Sequence, residues 1–197
     1  MTTRIATVLA LSTLLAPAVA TPSIGSQPPF APQSRIWIEG TSTVRGFSCK
    51  ANRVEGAVDA QSGVATVAEG KHAVQTARLT VPVAALDCGN GTMNEHMRKA
   101  LRADASPTIE YRLTGYDVSA PASGSAPVQM KGTLRIAGQE VPIVIPGRVT
   151  AENGGLRVRG EKEIRMTEWG VRPPTLMMGT MKVADKVTVK FDVLVQG

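Results

Sequence analysis

Few residues in this 197-residue chain are of types that could do chemistry. His72 and His96 are the only histidines, and His96 lies beside Met93 and Met97 in a predicted helix. Imidazole and thioether groups together suit copper. However, Met93, Met97 and Leu101 recur at intervals of four residues, a spacing typical of a packing stripe, and His96 is one residue off it. We therefore predict a histidine at the solvent edge and no metal site.

Motifs for catalysis are also missing from the sequence. It contains no G-x-S-x-G, H-E-x-x-H, C-x-x-C or P-loop pattern. The turn Gly89-Asn90-Gly91 precedes a helix and could bind an anion through its free amides. The hydroxyl of Thr92, paired with Glu95 in a capping box, is expected to occupy those amides and to start the helix. We predict a protein that is not an enzyme and needs no cofactor.

The N-terminus has the pattern of a secretory signal peptide. Arg4 precedes an apolar run over residues 5–15, and Ala18-Val19-Ala20 forms a small-residue cleavage site. Residues 1–20 are therefore expected to be removed near Ala20, leaving a periplasmic or secreted protein. No later segment is apolar over the roughly 20 residues that a membrane span needs.

Cys49 and Cys88 are the only two cysteines. In an exported chain they favour one disulfide, which would tie the second strand to the turn before the helix. Two buried free thiols are the alternative, because spacing in the sequence does not establish how close the Cα atoms come.

The mature chain divides into a short spacer and one domain. Residues 21–34 contain four prolines and almost no charge, which predicts a disordered spacer outside the core. Residues 35–197 are enough for a single domain. The formal net charge is +6, but basic residues such as Arg157, Arg159, Lys186 and Lys190 alternate with apolar ones and are expected on outer strand faces. With aromatic residues at only 4%, we predict no nucleic-acid partner.

Apolar and polar residues alternate with period two along most of the domain, which indicates strands. The segments are 35–44, 47–58, 64–68, 73–83, 108–118, 128–137, 140–150, 156–166 and 183–195. No βαβ alternation interrupts them, and the short helix lies in a long connection. The pattern predicts an all-β antiparallel barrel or sandwich of about eight strands. Pro82, Pro142 and Pro146 fall within strands, so bulges or unpaired backbone are expected there.

One set of apolar residues falls on the phase of the strands that should face the interior. It comprises Leu79, Val81, Ile109, Tyr111, Leu113, Leu134, Ile136, Val187, Val189 and Phe191. These residues would either fill a solid core or line a cavity for an apolar ligand. Alternation alone does not choose between the two.

Three stretches resemble a known family. Residues 88–113, residues 40–49 (GTSTVRGFSC) and residues 166–187, with MTEWGVRPPTLMMG at their start, are similar to segments of the YceI-like family, exported bacterial lipocalin-like barrels associated with polyisoprenoid binding. The resemblance covers residues 35–195 and includes no catalytic signature. It favours a barrel over a sandwich. Much of the family has a histidine near the position that Arg45 occupies here.

The resemblance implies that the barrel is hollow and that the inward set binds an isoprenoid or similar long apolar lipid. The loop from Thr167 to Met181, made unusually apolar by Trp169, Leu176, Met177, Met178 and Met181, would then form a lid. A polar head group could be oriented by Tyr111 or Trp169 and neutralised by Arg45. The alternatives are a loop that only plugs the barrel and, for the whole protein, a solid structural or interaction module.

Overall fold

Antiparallel strands make up most of residues 29–197, the part of the chain that the computed structural model describes. The strands are β1 (Arg35–Ser42), β2 (Gly46–Ala51), β3 (Glu55–Ala60), β4 (Val74–Pro82), β5 (Leu86–Asp87), β6 (Thr108–Val118), β7 (Ser125–Ile136), β8 (Gln139–Glu152), β9 (Gly155–Arg165), β10 (Thr175–Leu176) and β11 (Met181–Val195). One α-helix, α1 (Gly91–Ala100), lies between β5 and β6. The predicted signal peptide lies outside the described residues.

The strands form one curled sheet, a half-barrel around an apolar interior. Ten of them follow the order β3-β4-β6-β7-β8-β9-β11-β1-β2-β5, and β10 pairs with β11 off this path. Every pairing of strands is antiparallel. The predicted all-β, lipocalin-like class with one short helix is confirmed, whereas the predicted count of about eight strands is too low.

One predicted strand is wrong. Residues 64–68 belong to a 3₁₀ helix, Val64–Glu69, in which Val64, Val67 and Ala68 are buried. Val67 and Ala68 follow Val64 by three and four residues, and residues at these separations lie on the same side of a helix. This segment contacts β7, β8 and β9 and covers one end of the barrel, called here the 3₁₀ end.

The predicted strand over residues 47–58 is two strands. β2 pairs with β1 and β3 pairs with β4, at opposite edges of the sheet. The chain therefore leaves one edge after Ala51 and joins the other at Glu55. Gly56 permits this second pairing, because a Cβ atom there would collide with the carbonyl oxygen of Arg78.

The prolines disturb the sheet less than expected. Pro142 and Pro146 stay in register with Thr133 and Gln129 of β7, and Pro82 stays in register with Thr108. The predicted bulges are therefore absent from these ladders. On its other side β8 pairs with β9 only from Gly147 onward, so β8 has unpaired backbone at the prolines, as predicted.

The packed domain begins earlier than predicted. Phe30 and Ala31, assigned above to the spacer, are only 7% and 3% exposed and belong to the core. The amide of Ala31 donates to the carbonyl oxygen of Leu194 (2.9 Å), and the amide of Gln196 donates to that of Pro29 (2.8 Å). The sequence did contain a sign of this contact, because Phe30 is a large aromatic residue in an otherwise proline-rich segment. Residues 21–28 lie outside the described residues.

We predict that Phe30→Ala lowers the free energy of unfolding by about 3 kcal/mol, because a buried aromatic side chain is removed from the end of the core. Urea denaturation measures the change. Gln33→Ala, at an exposed position in the same segment, is the control and should change stability by less than about 0.5 kcal/mol. Equal, small effects of the two variants would contradict the packing of this segment.

Candidate functional site

The interior of the half-barrel contains two adjoining cavities. The smaller, of about 210 Å³, lies toward the 3₁₀ end, and the larger, of about 570 Å³, lies toward α1. They share six apolar lining residues: Ile36, Val81, Ile109, Leu134, Ile164 and Val189. The larger cavity alone falls within the size range of small-molecule sites. The inner face of the sheet therefore encloses more space than its own side chains fill.

All ten residues of the predicted inward set lie on these walls. Leu79, Tyr111, Leu113 and Phe191 line the smaller cavity, Ile136 and Val187 line the larger, and Val81, Ile109, Leu134 and Val189 line both. Their alternation with polar residues predicted this inner face correctly, because neighbouring side chains of a strand point to opposite faces of the sheet. That they contact a ligand stays a prediction.

Helix α1 forms one wall of the larger cavity. Met93 and Met97 line it, as the packing stripe predicted. The predicted start of the helix is wrong: Asn90 is the N-cap, and its side-chain oxygen accepts a hydrogen bond from the amide of Met93 (3.0 Å). Asparagine is as good an N-cap as threonine, and it comes earlier in the chain. The carboxylate of Glu95 instead pairs with Lys99 (2.8 Å), whose ammonium group holds the pKa of Glu95 below its usual range.

His96 and Arg45 both lie on the wall of the larger cavity. His96 is half-buried. Arg45 is exposed in the turn between β1 and β2, and its role toward a ligand stays a prediction. Within residues 29–197, no three His, Cys, Asp or Glu residues are grouped so that they could hold a metal ion.

The predicted disulfide between Cys49 and Cys88 is confirmed. It joins β2 to the segment before α1 and lies on the wall of the larger cavity. The sulfur of Cys88 is 3.6 Å from that of Met97, and the amide of Cys88 donates to the side chain of Asn94 (2.7 Å). The bridge therefore fixes α1 against the open edge of the sheet.

We predict that Cys49→Ala/Cys88→Ala lowers the free energy of unfolding by about 2–4 kcal/mol, because the bridge closes a loop across 39 residues. Chemical denaturation of the oxidised protein and the double variant measures the difference. A reducing agent should destabilise the oxidised protein to the same extent and leave the variant unchanged. No difference between the two proteins in stability would contradict this role.

The residues predicted as a lid occupy different environments. Trp169 is only 1% exposed, and its indole N–H donates to the carbonyl oxygen of Leu134 (2.8 Å). Nearby, the amide and the hydroxyl of Thr167 donate hydrogen bonds to the carboxylate of Asp185 (2.9 and 2.8 Å). Trp169 is therefore held in place by burial and by a hydrogen bond, and whether the loop acts as a lid or as a plug stays a prediction. Met178 is fully exposed and lines neither cavity, while the side chains of Leu176 and Met177 lie outside the described part of the chain.

Three residues that carry polar groups line the smaller cavity, namely Tyr111, Tyr116 and Lys162. The hydroxyl of Tyr111 is buried without a hydrogen-bond partner in the described residues, and burial raises the pKa of this phenol well above its usual value. Lys162 is the one charged residue that lines this cavity. The sequence analysis missed it, although it lies two residues before Ile164 and four after Val158, in the same inward phase of β9.

A curled antiparallel sheet with an apolar interior cavity defines the lipocalin-like class of ligand-binding folds. A family profile for the YceI-like domain matches residues 33–195. The chain therefore belongs to the YceI-like family, which confirms the resemblance drawn from its motifs.

Solved structures show the same fold at low sequence identity. BcnA of Burkholderia cenocepacia is 17% identical, with a TM-score of 0.66 over 83% of this chain and 97% of its own. A polyisoprenoid-binding domain from Saccharophagus degradans is 13% identical, with a TM-score of 0.64 over 87% and 99%. The YceI protein of Campylobacter jejuni is 15% identical, with a TM-score of 0.58 over 76% and 84%. Curated protein sequences give no match.

Proposed function

We propose that this protein binds a polyisoprenoid or a similar long apolar lipid inside the half-barrel and sequesters or carries it outside the cytoplasm. The observation that carries this proposal is the pair of adjoining cavities, whose walls consist mostly of apolar side chains. A chain that enters the larger cavity near α1 can extend past the shared residues into the smaller one. In the part of the chain described, no helix is long and apolar enough to cross a membrane.

The driving force for such binding is burial of hydrocarbon. Each CH₂ group transferred from water contributes about 0.8 kcal/mol before the cost of ordering the ligand. Several methylene or isoprene units inside the two cavities therefore provide useful affinity without any specific hydrogen bond. The methionines of α1 are suited to a flexible guest, because an unbranched thioether adapts its shape.

The similar domain from Saccharophagus degradans, described as polyisoprenoid-binding, supports the same ligand class. The alternative of a solid structural module requires a filled interior, and the cavities count against it. Within this proposal the protein binds and does not catalyse, is exported after cleavage near Ala20, and needs neither metal nor cofactor.

Native mass spectrometry of the mature protein purified from its own compartment tests the proposal. We expect a fraction with added mass that lipid extraction assigns to an apolar chain of isoprenoid type. The bare polypeptide alone, together with no uptake of added prenyl lipid, would overturn the carrier function and favour the solid module.

A cavity-filling variant tests where the lipid lies. Val189 lines both cavities, so Val189→Trp should obstruct the passage between them and weaken binding of a long prenyl chain at least tenfold. Val144→Trp is the matched control, because Val144 is on the outer face of β8 and 44% exposed.

Binding is measured by titration with a fluorescent prenyl analogue, and circular dichroism verifies that both variants are folded. Unchanged affinity in folded Val189→Trp would place the ligand outside the barrel. Equal losses in the two variants would indicate a general disturbance of the sheet.

A further inference from the structure

Two exposed apolar side chains lie at the end of the half-barrel that contains the larger cavity. Val44 is 64% exposed in the turn between β1 and β2, and Met178 is fully exposed just before β11. Their segments are in contact: the amide of Thr43 donates to the carbonyl oxygen of Lys182 (3.0 Å), and the hydroxyl of Thr43 donates to that of Thr180 (3.0 Å). Val44 and Met178 therefore belong to neighbouring segments of one surface.

The larger cavity reaches the protein surface beside these segments. Arg45, which follows Val44 in the same turn, and Thr92, at the start of α1, line this cavity and are exposed to solvent. Met181, three residues after Met178, lines it as well. We call this place the mouth of the larger cavity. The exposed apolar side chains therefore lie next to the route by which a ligand can enter.

Four exposed basic residues lie around the mouth, and they are called here the basic rim: Arg45, Arg102, Arg172 and Lys182. Arg45 lines the cavity itself, and Lys182 follows the lining residue Met181. Arg172 follows the lining residue Val171. The guanidinium group of Arg102 donates to the carbonyl oxygen of Gly170 (3.3 Å), two residues before Arg172. The basic rim thus joins the turn after β1, the end of α1 and the loop before β11.

Carboxylates do not neutralise the basic rim. In the described part of the chain, none of its four members forms an ion pair. The acidic residues at this end that also form no ion pair are Asp87, Asp104, Glu140, Glu168 and Asp185. They are outnumbered, because the basic residues without an ion pair at this end are the basic rim together with Lys50, Arg98, Arg135 and Arg165. The surface around the mouth therefore carries a net positive charge.

We propose that this end of the protein docks on a bilayer that contains anionic phospholipids, with the basic rim on the lipid phosphates and with Val44 and Met178 in the interfacial layer. This inference goes beyond the proposed function, because it assigns the surface through which a lipid passes between membrane and cavity, and the docking itself does not depend on lipid uptake. Each basic side chain near an anionic bilayer strengthens binding about fivefold. A second copy of this chain is a poor occupant, because two basic rims would repel each other.

Co-sedimentation of the mature protein with lipid vesicles tests the docking. We expect binding to phosphatidylcholine vesicles that contain about one third phosphatidylglycerol, and binding about tenfold weaker or less to pure phosphatidylcholine. Binding should be lost at about 1 M salt, where the Debye length falls to about 3 Å. Arg172→Gln/Lys182→Gln should weaken binding to the anionic vesicles about tenfold or more, and it should leave uptake of a soluble fluorescent prenyl analogue unchanged.

A matched variant separates the basic rim from general charge. Arg35→Gln/Arg148→Gln removes the same charge from exposed positions on β1 and β8 away from the mouth. It should weaken vesicle binding by less than about twofold, because charges more than about 8 Å from the membrane are screened at physiological salt. Equal losses in the two double variants, or equal binding of wild type to neutral and anionic vesicles, would overturn the docking surface.

Tryptophan reporters locate the contact with the membrane. Met178→Trp should shift its fluorescence emission to shorter wavelength when anionic vesicles are added, because indole prefers the membrane interface to water. Val144→Trp, on the outer face of β8 and 44% exposed, should show no shift. A shift in Val144→Trp alone would place the contact on the outer face of the sheet. The absence of a shift in both variants would also contradict the proposal.

Sedimentation velocity tests the other occupant of this surface. A wild-type dimer that Val44→Ser/Met178→Ser dissociates would assign the surface to a second copy and overturn membrane docking. If vesicle binding fails while uptake of the prenyl analogue persists, the docking is wrong and the proposed function stands. If docking is observed but no prenyl lipid is taken up, the proposed function fails. The two failures are therefore distinguishable.

Discussion

The pairing of β11 with both β1 and β9 is the constraint on which the interior depends. β11 is fifteen residues long, and its two ladders join the last part of the chain to the first strand and to the meander that precedes it. Its alternate residues Val187, Val189, Phe191 and Val193 line the cavities along the barrel. A slip of one residue in either ladder would turn these side chains outward. Backbone register therefore determines which side chains line the two cavities.

The two ends of the half-barrel are covered by different means. At the 3₁₀ end, the Val64–Glu69 helix and Phe30 pack on the core. At the other end, α1 is held by the bridge from Cys49 to Cys88, and Trp169 is held by its hydrogen bond to Leu134. The larger cavity lies at this second end, beside the disulfide. A covalent tie there fixes the wall of a cavity that side-chain packing alone does not fill.

Local alternation in the sequence was sufficient to predict most strands and all ten inward residues, because a period of two is a property of the strand itself. It was not sufficient for residues 64–68, where a short apolar run fits a 3₁₀ helix as well as a strand. Nor did it assign Phe30 to the core, because that contact depends on Val195 at the far end of the chain. Whether side chains fill the interior depends on the curvature of the whole sheet, and the sequence of a single strand does not determine that curvature.

Lys162 was missed for a related reason. A charge on a strand is normally assigned to the outer face, and Arg157, Arg159 and Glu163 of the same strand obey that rule. Lys162 is half-buried and lies two residues past Gly160, where the pairing between β8 and β9 ends. The end of a ladder leaves room for a long side chain to keep its apolar stem on the cavity wall and its ammonium group in water. A strand position just past the end of a ladder can therefore carry a charge in the inward phase of an otherwise apolar sheet.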